Sequence, residues 1–296
     1  MEDDPPSSHV VLSISREGGM RLDLALLEID RLLLHEETIP PIVSSLSRSL
    51  EKEGFLRDPV IVDRESLVVL DGMHRVTVLR RLGCKLVPVC LVDYDSPEIK
   101  VERWCRTVKN EEVLEVLTRS IDLKGFKVEE MPVEEAYRRL GAGGVVGILK
   151  TRVGNYAIIS HRGTDVLSSL RAIREVEEKL RSKGLKVEYE TELDAEEKLR
   201  KREVDAMILP PKIHKEEVKE TALRGEVFTY KATRHIIPAR PLGINIPLLL
   251  LRAENLSIEQ AQEAFSNILK KRKFRRIPPG SLWKGRRYDE ELYIFE

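Results

Sequence analysis

The stretch VVLDGMHRVTVLRRLG, residues 68 to 83, constrains this chain more than any other. An apolar β-branched run ends on Asp71 and Gly72 follows at once. His74 and Arg75 then open a segment whose Val76, Leu79 and Leu82 share one helical face. The pattern is a strand turning directly into a helix. A helix N-terminus presents unpaired N–H groups and a partial positive charge, so it favours an anion. Gly72 lets a ligand approach the backbone, while His74 and Arg75 add donors, and a guanidinium binds two oxygens at once. Together they point to phosphate, and the acid beside them points to more than storage. Read alone, Asp-Gly is also an ordinary turn, and Arg75 an ordinary residue of a first helical turn.

Around this corner, residues 20–95 read as one compact α+β unit. Residues 23–34 are a strand or extended lead-in ending at HEET (35–38). Thr38 and the Pro40-Pro41 pair start a helix that runs to about Glu53, with Gly54 placed to stop it. Residues 59–72 form two strands joined by a polar turn, and 85–95 return as a strand. In the longer second part, residues 143–160 read as a hairpin pivoting on Arg152 to Asn155. Thr164 to Lys183 is an amphipathic helix closed by Gly184. LKVEYETE (185–192) and VDAMIL (204–209) are strands, and DAEEKLRKRE (194–203) and KEEVKETALRGE (215–226) are helices. Such alternation indicates an α/β layer.

Gly225 to Pro241 is loop-like but rich in reactive side chains. Lys231, Thr233, Arg234 and His235 suit a zwitterionic amino acid: Arg pairs with a carboxylate, and Thr and His bond an amine or hydroxyl. The tail from Asn255 holds one helix and an irregular end. Its basic run KKRKFRR (270–276) is either a nucleic-acid patch or a helix end whose cations oppose the macrodipole, and the neutral chain favours the second. The expected domains are 1–98, 99–250 and a helical extension over 251–296.

Fifty basic residues balance fifty acidic ones, so nothing global calls for nucleic acid or membrane. The longest apolar run, INIPLLLL (244–251), contains Asn245 and Pro247 and is too short to span a bilayer. The acidic opening MEDDPPSSH is unlike a signal or transit peptide. Cys84, Cys90 and Cys105 form no CxxC pair, which leaves neither a disulfide framework nor a zinc site indicated. A reduced, cytoplasmic protein is expected. Only two Gln and five Asn accompany abundant Lys, Arg and Glu, the composition of a thermophile protein.

Several of these segments, taken in order, resemble the archaeal free serine kinases of the ParB/sulfiredoxin superfamily. The hallmark there is strand-D-G-H-H-R-helix, matched by LDGMHRVTVLRRLG. HEE (35–37) stands where that family has a His-Glu pair, and Trp104 stands where it has a tryptophan after the strand ending LVDY. GEVFTYKATRH (225–235) resembles the family's G-E-V-F-x-x-K-T-T-R-H. The resemblance covers roughly residues 20 to 245. Met73 replaces the first His of D-G-H-H-R, and Ala232 replaces one Thr of K-T-T-R-H.

The resemblance implies a ParB/sulfiredoxin-like N-terminal α+β domain packed with a second α/β domain that completes a serine site. It implies phosphoryl transfer from ADP or ATP, with Mg2+, to free L-serine, giving O-phospho-L-serine for cysteine and serine metabolism. Glu36 then matches the general base, and Asp71 orients the nucleophile or holds magnesium. Gly72, Met73, His74 and Arg75 bind phosphate, where Met73 still offers a backbone N–H. Trp104 walls the amino-acid pocket that Lys231, Thr233, Arg234 and His235 complete. Without the resemblance, Glu36 is a solvated residue ahead of a helix and Trp104 a core residue. The competing function is a ParB-like nucleotide-binding module that grips DNA. A sulfiredoxin reading fails, because Met73 occupies the place of its attacking cysteine. The expected partners are free serine and a nucleotide, with no membrane and no nucleic acid, in a monomer or small homo-oligomer.

Overall fold

The computed structural model describes residues 10–16, 19–113, 115–116, 126–160 and 165–296. The chain is mixed α and β and divides into two compact units. The first gathers residues 1–100, 215–227 and 235–296, so the tail after residue 250 is part of it. The second gathers 101–214 and 228–234. Among the described residues, no helix is long and apolar enough to cross a membrane.

The first unit is built on a five-stranded sheet. Its strands are β1 (Val10–Ser15), β2 (Arg21–Glu28), β4 (Val60–Asp63), β5 (Val69–Asp71) and β6 (Leu86–Val92), with the short β3 (Phe55–Leu56) outside it. The order is β1-β2-β6-β4-β5, with β4 parallel to β6 and the other pairs antiparallel. Every residue of β6 is buried, as an unbroken run of Leu, Val, Pro and Cys requires of a strand covered on both faces. Each fully buried Val or Leu there contributes about 1.5–3 kcal/mol.

Helix α1 (Pro40–Glu53) starts where its two prolines fix φ and ends at Gly54, whose φ of 77° is left-handed. Thr38 was the expected start, but the N-cap is Ile39 and no side chain caps it. Helix α2 (Met73–Arg81) follows β5 directly and buries Val76, Val78 and Leu79.

The tail departs from the irregular end expected of it. Glu291–Phe295 is a fully buried strand, parallel to Ala239–Leu242 and antiparallel to Phe274–Ile277. The acid that opens it hides the apolar signal, and it is buried here because Arg276 pairs with Glu291 at 2.6 Å. Ala239–Leu242, together with Thr233–Ile236, likewise replaces the loop expected over 225–241. Of the basic run, Lys270 ends the helix Ile258–Lys270, whereas Arg275 and Arg276 lie in the strand that follows.

The second unit is a six-stranded, wholly antiparallel sheet in the order Val187–Glu190, Cys105–Val108, Ala206–Leu209, Gly147–Thr151, Asn155–Ser160, Phe126–Glu130. The hairpin over 143–160 forms as expected. Helices cover both faces. Ala172, Ile173, Val176 and Leu180 of the helix Val166–Ser182 pack on Leu149, Ile158 and Ile208. Ala136, Leu140 and Ala195 pack on the other face with Ile148, Ala157 and Met207. The first of these helices is capped by Asp165, which accepts from the Ser168 N–H, and its expected start at Thr164 lies outside the described residues.

One buried ion pair ties this unit together. Arg106 Nε donates to Glu177 Oε1 at 2.5 Å, and the Tyr189 hydroxyl donates to Glu177 Oε2 at 2.6 Å. Neither charge reaches solvent. Removing one partner strands the other, so Glu177→Ala lowers the stability of this unit by about 3–5 kcal/mol in chemical denaturation. A loss below about 1 kcal/mol would show that water reaches Arg106 and that the pair is not a dry one.

Candidate functional site

In the first unit, β5 ends on Asp71 and the chain reverses through Gly72 at φ 106°, a conformation that only glycine adopts without strain. A Cβ at this position would lie 2.9 Å from Arg75 Nε and Nη2, so the guanidinium lies directly over the glycine. Gly72 is also the N-cap of α2, and no side chain caps that helix or places an acid in its first turn. A helix start of this kind carries a partial positive charge that no acid of its own first turn offsets.

Arg75 is already committed on three sides. Nη1 donates to the carbonyls of Asp58 (3.1 Å) and Pro59 (2.5 Å), and Nη2 donates to Asp71 Oδ2 (3.1 Å). A second guanidinium, that of Arg240, donates from Nη1 to the same Asp71 oxygen at 2.9 Å. Burial opposes ionisation of Asp71, but Arg75 and Arg240 outweigh it and hold the carboxyl down at about 2. The Asp71 side chain is 40% exposed.

Two guanidiniums on one oxygen leave Asp71 a poor fit for magnesium, since a divalent cation there would meet two positive charges. Among the described residues, no three His, Cys, Asp or Glu side chains converge to hold a metal ion.

Glu36 is buried, on a segment laid against β5. Leu33 bridges Val68, Leu33 N–H donates to Leu67 O, and Val69 N–H donates to Leu33 O. His35 completes the join, donating from Nδ1 to Val69 O at 2.8 Å. The strand that carries Asp71 and the segment that carries Glu36 are thus one construction. His74 has a structural bond as well: its Nε2 accepts the Ile39 N–H at 3.0 Å and so anchors the start of α1. That nitrogen is an acceptor, not a phosphate donor.

His235 lies in the first unit with this group. Its ring meets that of His35 edge-on, with centroids 5.2 Å apart, and its Nε2 lies 2.7 Å from the Tyr94 hydroxyl. Burial, then the neighbouring His35, hold His235 well below the usual imidazole range, so the neutral ring accepts and Tyr94 donates. Burial likewise pushes the Tyr94 phenol up.

The rest of the expected serine-binding set lies in the second unit, because the boundary falls between Arg234 and His235. There Lys231 Nζ stands 4.6 Å from the Trp104 ring centroid, and the Arg234 guanidinium 5.9 Å from it. Arg234 Nη1 donates to Glu102 Oε2 at 2.6 Å. Thr233 is buried, and Lys231 holds a left-handed φ of 60°, backbone strain of the kind that gathers at ligand clamps.

Sequence reasoning passed over Arg240, Tyr94 and Glu102. Arg240 stood within the segment flagged as rich in special side chains, but nothing in the string pairs it with Asp71, 169 residues away.

No protein-family model matches the chain. It is 27% identical over 239 residues to the ADP-dependent L-serine kinase SerK of Thermococcus kodakarensis, covering 77% of this chain and 93% of that protein. It is also 27% identical over 237 residues to an ATP-dependent L-serine kinase of Staphylothermus marinus, covering 75% and 89%. Among solved structures, a free serine kinase in complex with AMP superposes with a TM-score of 0.67 at 28% identity, covering 78% of this chain and 94% of that one. A free serine kinase variant in complex with ADP gives 0.66 at 27% identity. The chain is a homologue of archaeal L-serine kinases over about three quarters of its length.

The buried imidazoles make the fold acid-sensitive. Burial holds His35 at about 4, although its Val69 bond opposes this, against about 6.5 in an unfolded chain. Between those values the unfolded chain takes up the proton and the folded one does not, so acid favours unfolding. The contribution of His35 is complete above about pH 6.5, and up to roughly 3 kcal/mol of it is lost as pH falls to 4. Urea midpoints measured across this range show the loss, and His35→Gln flattens it. An equally steep profile in that variant would assign the acid sensitivity elsewhere.

Proposed function

We propose that this chain is a free L-serine kinase, transferring a phosphoryl group from ADP or ATP to the serine hydroxyl to give O-phospho-L-serine. The observation that carries this is the uncapped start of α2 at Gly72, flanked by a charge-balanced Asp71 and built onto the segment that bears Glu36. Homology to L-serine kinases and the shared fold of nucleotide-bound free serine kinases support it.

The chemistry follows from the groups present. Phosphoryl transfer asks mainly for positioning and for balance of the charge on the transferred group. The backbone N–H groups at Met73 and His74 take phosphate oxygens with the help of the helix dipole, for which the His74 ring is not needed. Gly72 leaves room for the Arg75 guanidinium, which stands 2.9 Å from where a Cβ would be. Arg75, tethered by the Asp58 and Pro59 carbonyls, keeps a fixed guanidinium beside those N–H groups. Glu36 accepts the proton of the serine hydroxyl as that oxygen attacks phosphorus and the nucleotide departs. His235, held neutral by burial, offers a hydrogen bond rather than a charge.

For the second unit, the proposal gives Lys231, Thr233 and Arg234 the amino-acid carboxylate and amine, with Trp104 as an apolar wall. Arg234 must then share Glu102 with the substrate or release it. Magnesium is assigned to the nucleotide phosphates and their waters rather than to Asp71. The enzyme is taken to act in the cytoplasm, as a monomer or small homo-oligomer.

Incubation with L-serine, magnesium and either ADP or ATP yields phosphoserine, read by mass spectrometry, and the donor that works names the nucleotide. Glu36→Gln keeps size and hydrogen bonding but not basicity, so kcat falls about 10²-fold while nucleotide affinity holds. Absence of phosphoserine with both donors would overturn the kinase reading. Full activity in Glu36→Gln would remove Glu36 as the base.

A further inference from the structure

The residues after 250 reach the phosphate corner through one side chain. Glu290 immediately precedes the buried strand Glu291–Phe295, whose register against Ala239–Leu242 sets Arg240 opposite Leu292. Glu290 Oε1 lies 2.5 Å from Arg240 Nε in an ion pair, while Arg240 Nη1 donates to Asp71 Oδ2 at 2.9 Å. Arg240 thus links an acid of the tail to the acid of the corner. Arg240 and Glu290 are each 15% exposed, so solvent and salt screen this pair weakly.

The neighbouring acid separates two kinds of work. Glu291 is buried and pairs with Arg276 at 2.6 Å and with Arg16 at 3.4 Å, contacts that hold the tail strand in place. Glu290, one residue earlier, turns instead to Arg240 and through it to Asp71. An arginine spent on an acid that is itself 40% exposed adds little to stability, but it fixes the direction and balance of that charge.

We infer that Arg240, held in place by Glu290, is a positioning residue of the phosphoryl-transfer centre, and that Glu290, the residue just ahead of the C-terminal strand, serves the reaction through it. This rests on the kinase reading of the corner. An incoming phosphate is anionic and would be repelled by an unbalanced Asp71 carboxylate. Arg240 cancels that charge and fixes the carboxylate's orientation. Glu290 keeps the guanidinium from swinging onto the phosphate and leaving Asp71 exposed. Arg75 reaches Asp71 through Nη2 alone, its Nη1 being taken by two backbone carbonyls, so Arg240 supplies the second fixed contact that sets the carboxylate's direction.

The test is steady-state kinetics of the full chain at saturating serine and nucleotide, with Arg240→Lys, Glu290→Gln and the control Glu291→Gln. Arg240→Lys keeps the charge but cannot reach both acids with a fixed fork. Arg240→Lys and Glu290→Gln are expected to lower kcat tenfold or more, with KM for serine within about threefold, as misplacement of a reacting group does. Glu291→Gln lowers the melting temperature and leaves kcat at least half its value below that temperature. Glu290→Asp, which keeps the charge, recovers part of the loss. Values of kcat within twofold of the wild type in both test variants would overturn the inference. A loss that Glu291→Gln matches, or one carried wholly by KM, would do the same. An inactive wild-type chain would instead overturn the kinase reading, and this inference with it.

Discussion

Everything at the candidate corner depends on one carboxylate oxygen, Asp71 Oδ2, shared by two guanidiniums. Arg75 reaches it from the first turn of α2, and Arg240 reaches it from a strand 169 residues on. Without them, a carboxylate beside the start of a helix would repel the anion that the helix attracts. With them, the acid stays ionised at any physiological pH and presents no net repulsion. The same arrangement explains why position 72 is glycine. The Arg75 guanidinium covers it so closely that a Cβ would displace the very group that balances Asp71.

The second dependence is on the segment before α1. Glu36 would be an ordinary surface acid if its backbone were free, but the Leu33 bridge and the His35 bond to Val69 fasten it to the strand that ends in Asp71. His74 then secures the other side by accepting the Ile39 N–H. His74 thus joins the start of α1 to α2.

Much of this was legible in the string. The strand-glycine-helix corner, α1 with its prolines and Gly54, and the hairpin at 143–160 follow from local periodicity and turn chemistry. What escaped depends on distant partners. Arg240 reads as one more basic residue near a proline until the fold brings it to Asp71. Glu291 looks like a surface acid and is buried, because Arg276 and Arg16 balance it. The strands at 239–242 and 291–295 are each four or five residues long, with charges inside them, too short and too mixed to declare themselves. The alternating helices and strands of the second part gave an α/β layer but not its antiparallel order, which depends on how the strands between helices pair.

The central claim is that the start of α2 receives the nucleotide phosphates. The most direct measurement is an amide 1H–15N titration of the labelled chain with ADP, assigned over residues 70–78. Large shifts at the Met73, His74 and Arg75 amides, saturating together with those of the Arg75 and Arg240 guanidiniums, are the expected result. Saturable ADP binding that leaves those three amides unmoved and shifts others instead would contradict the account.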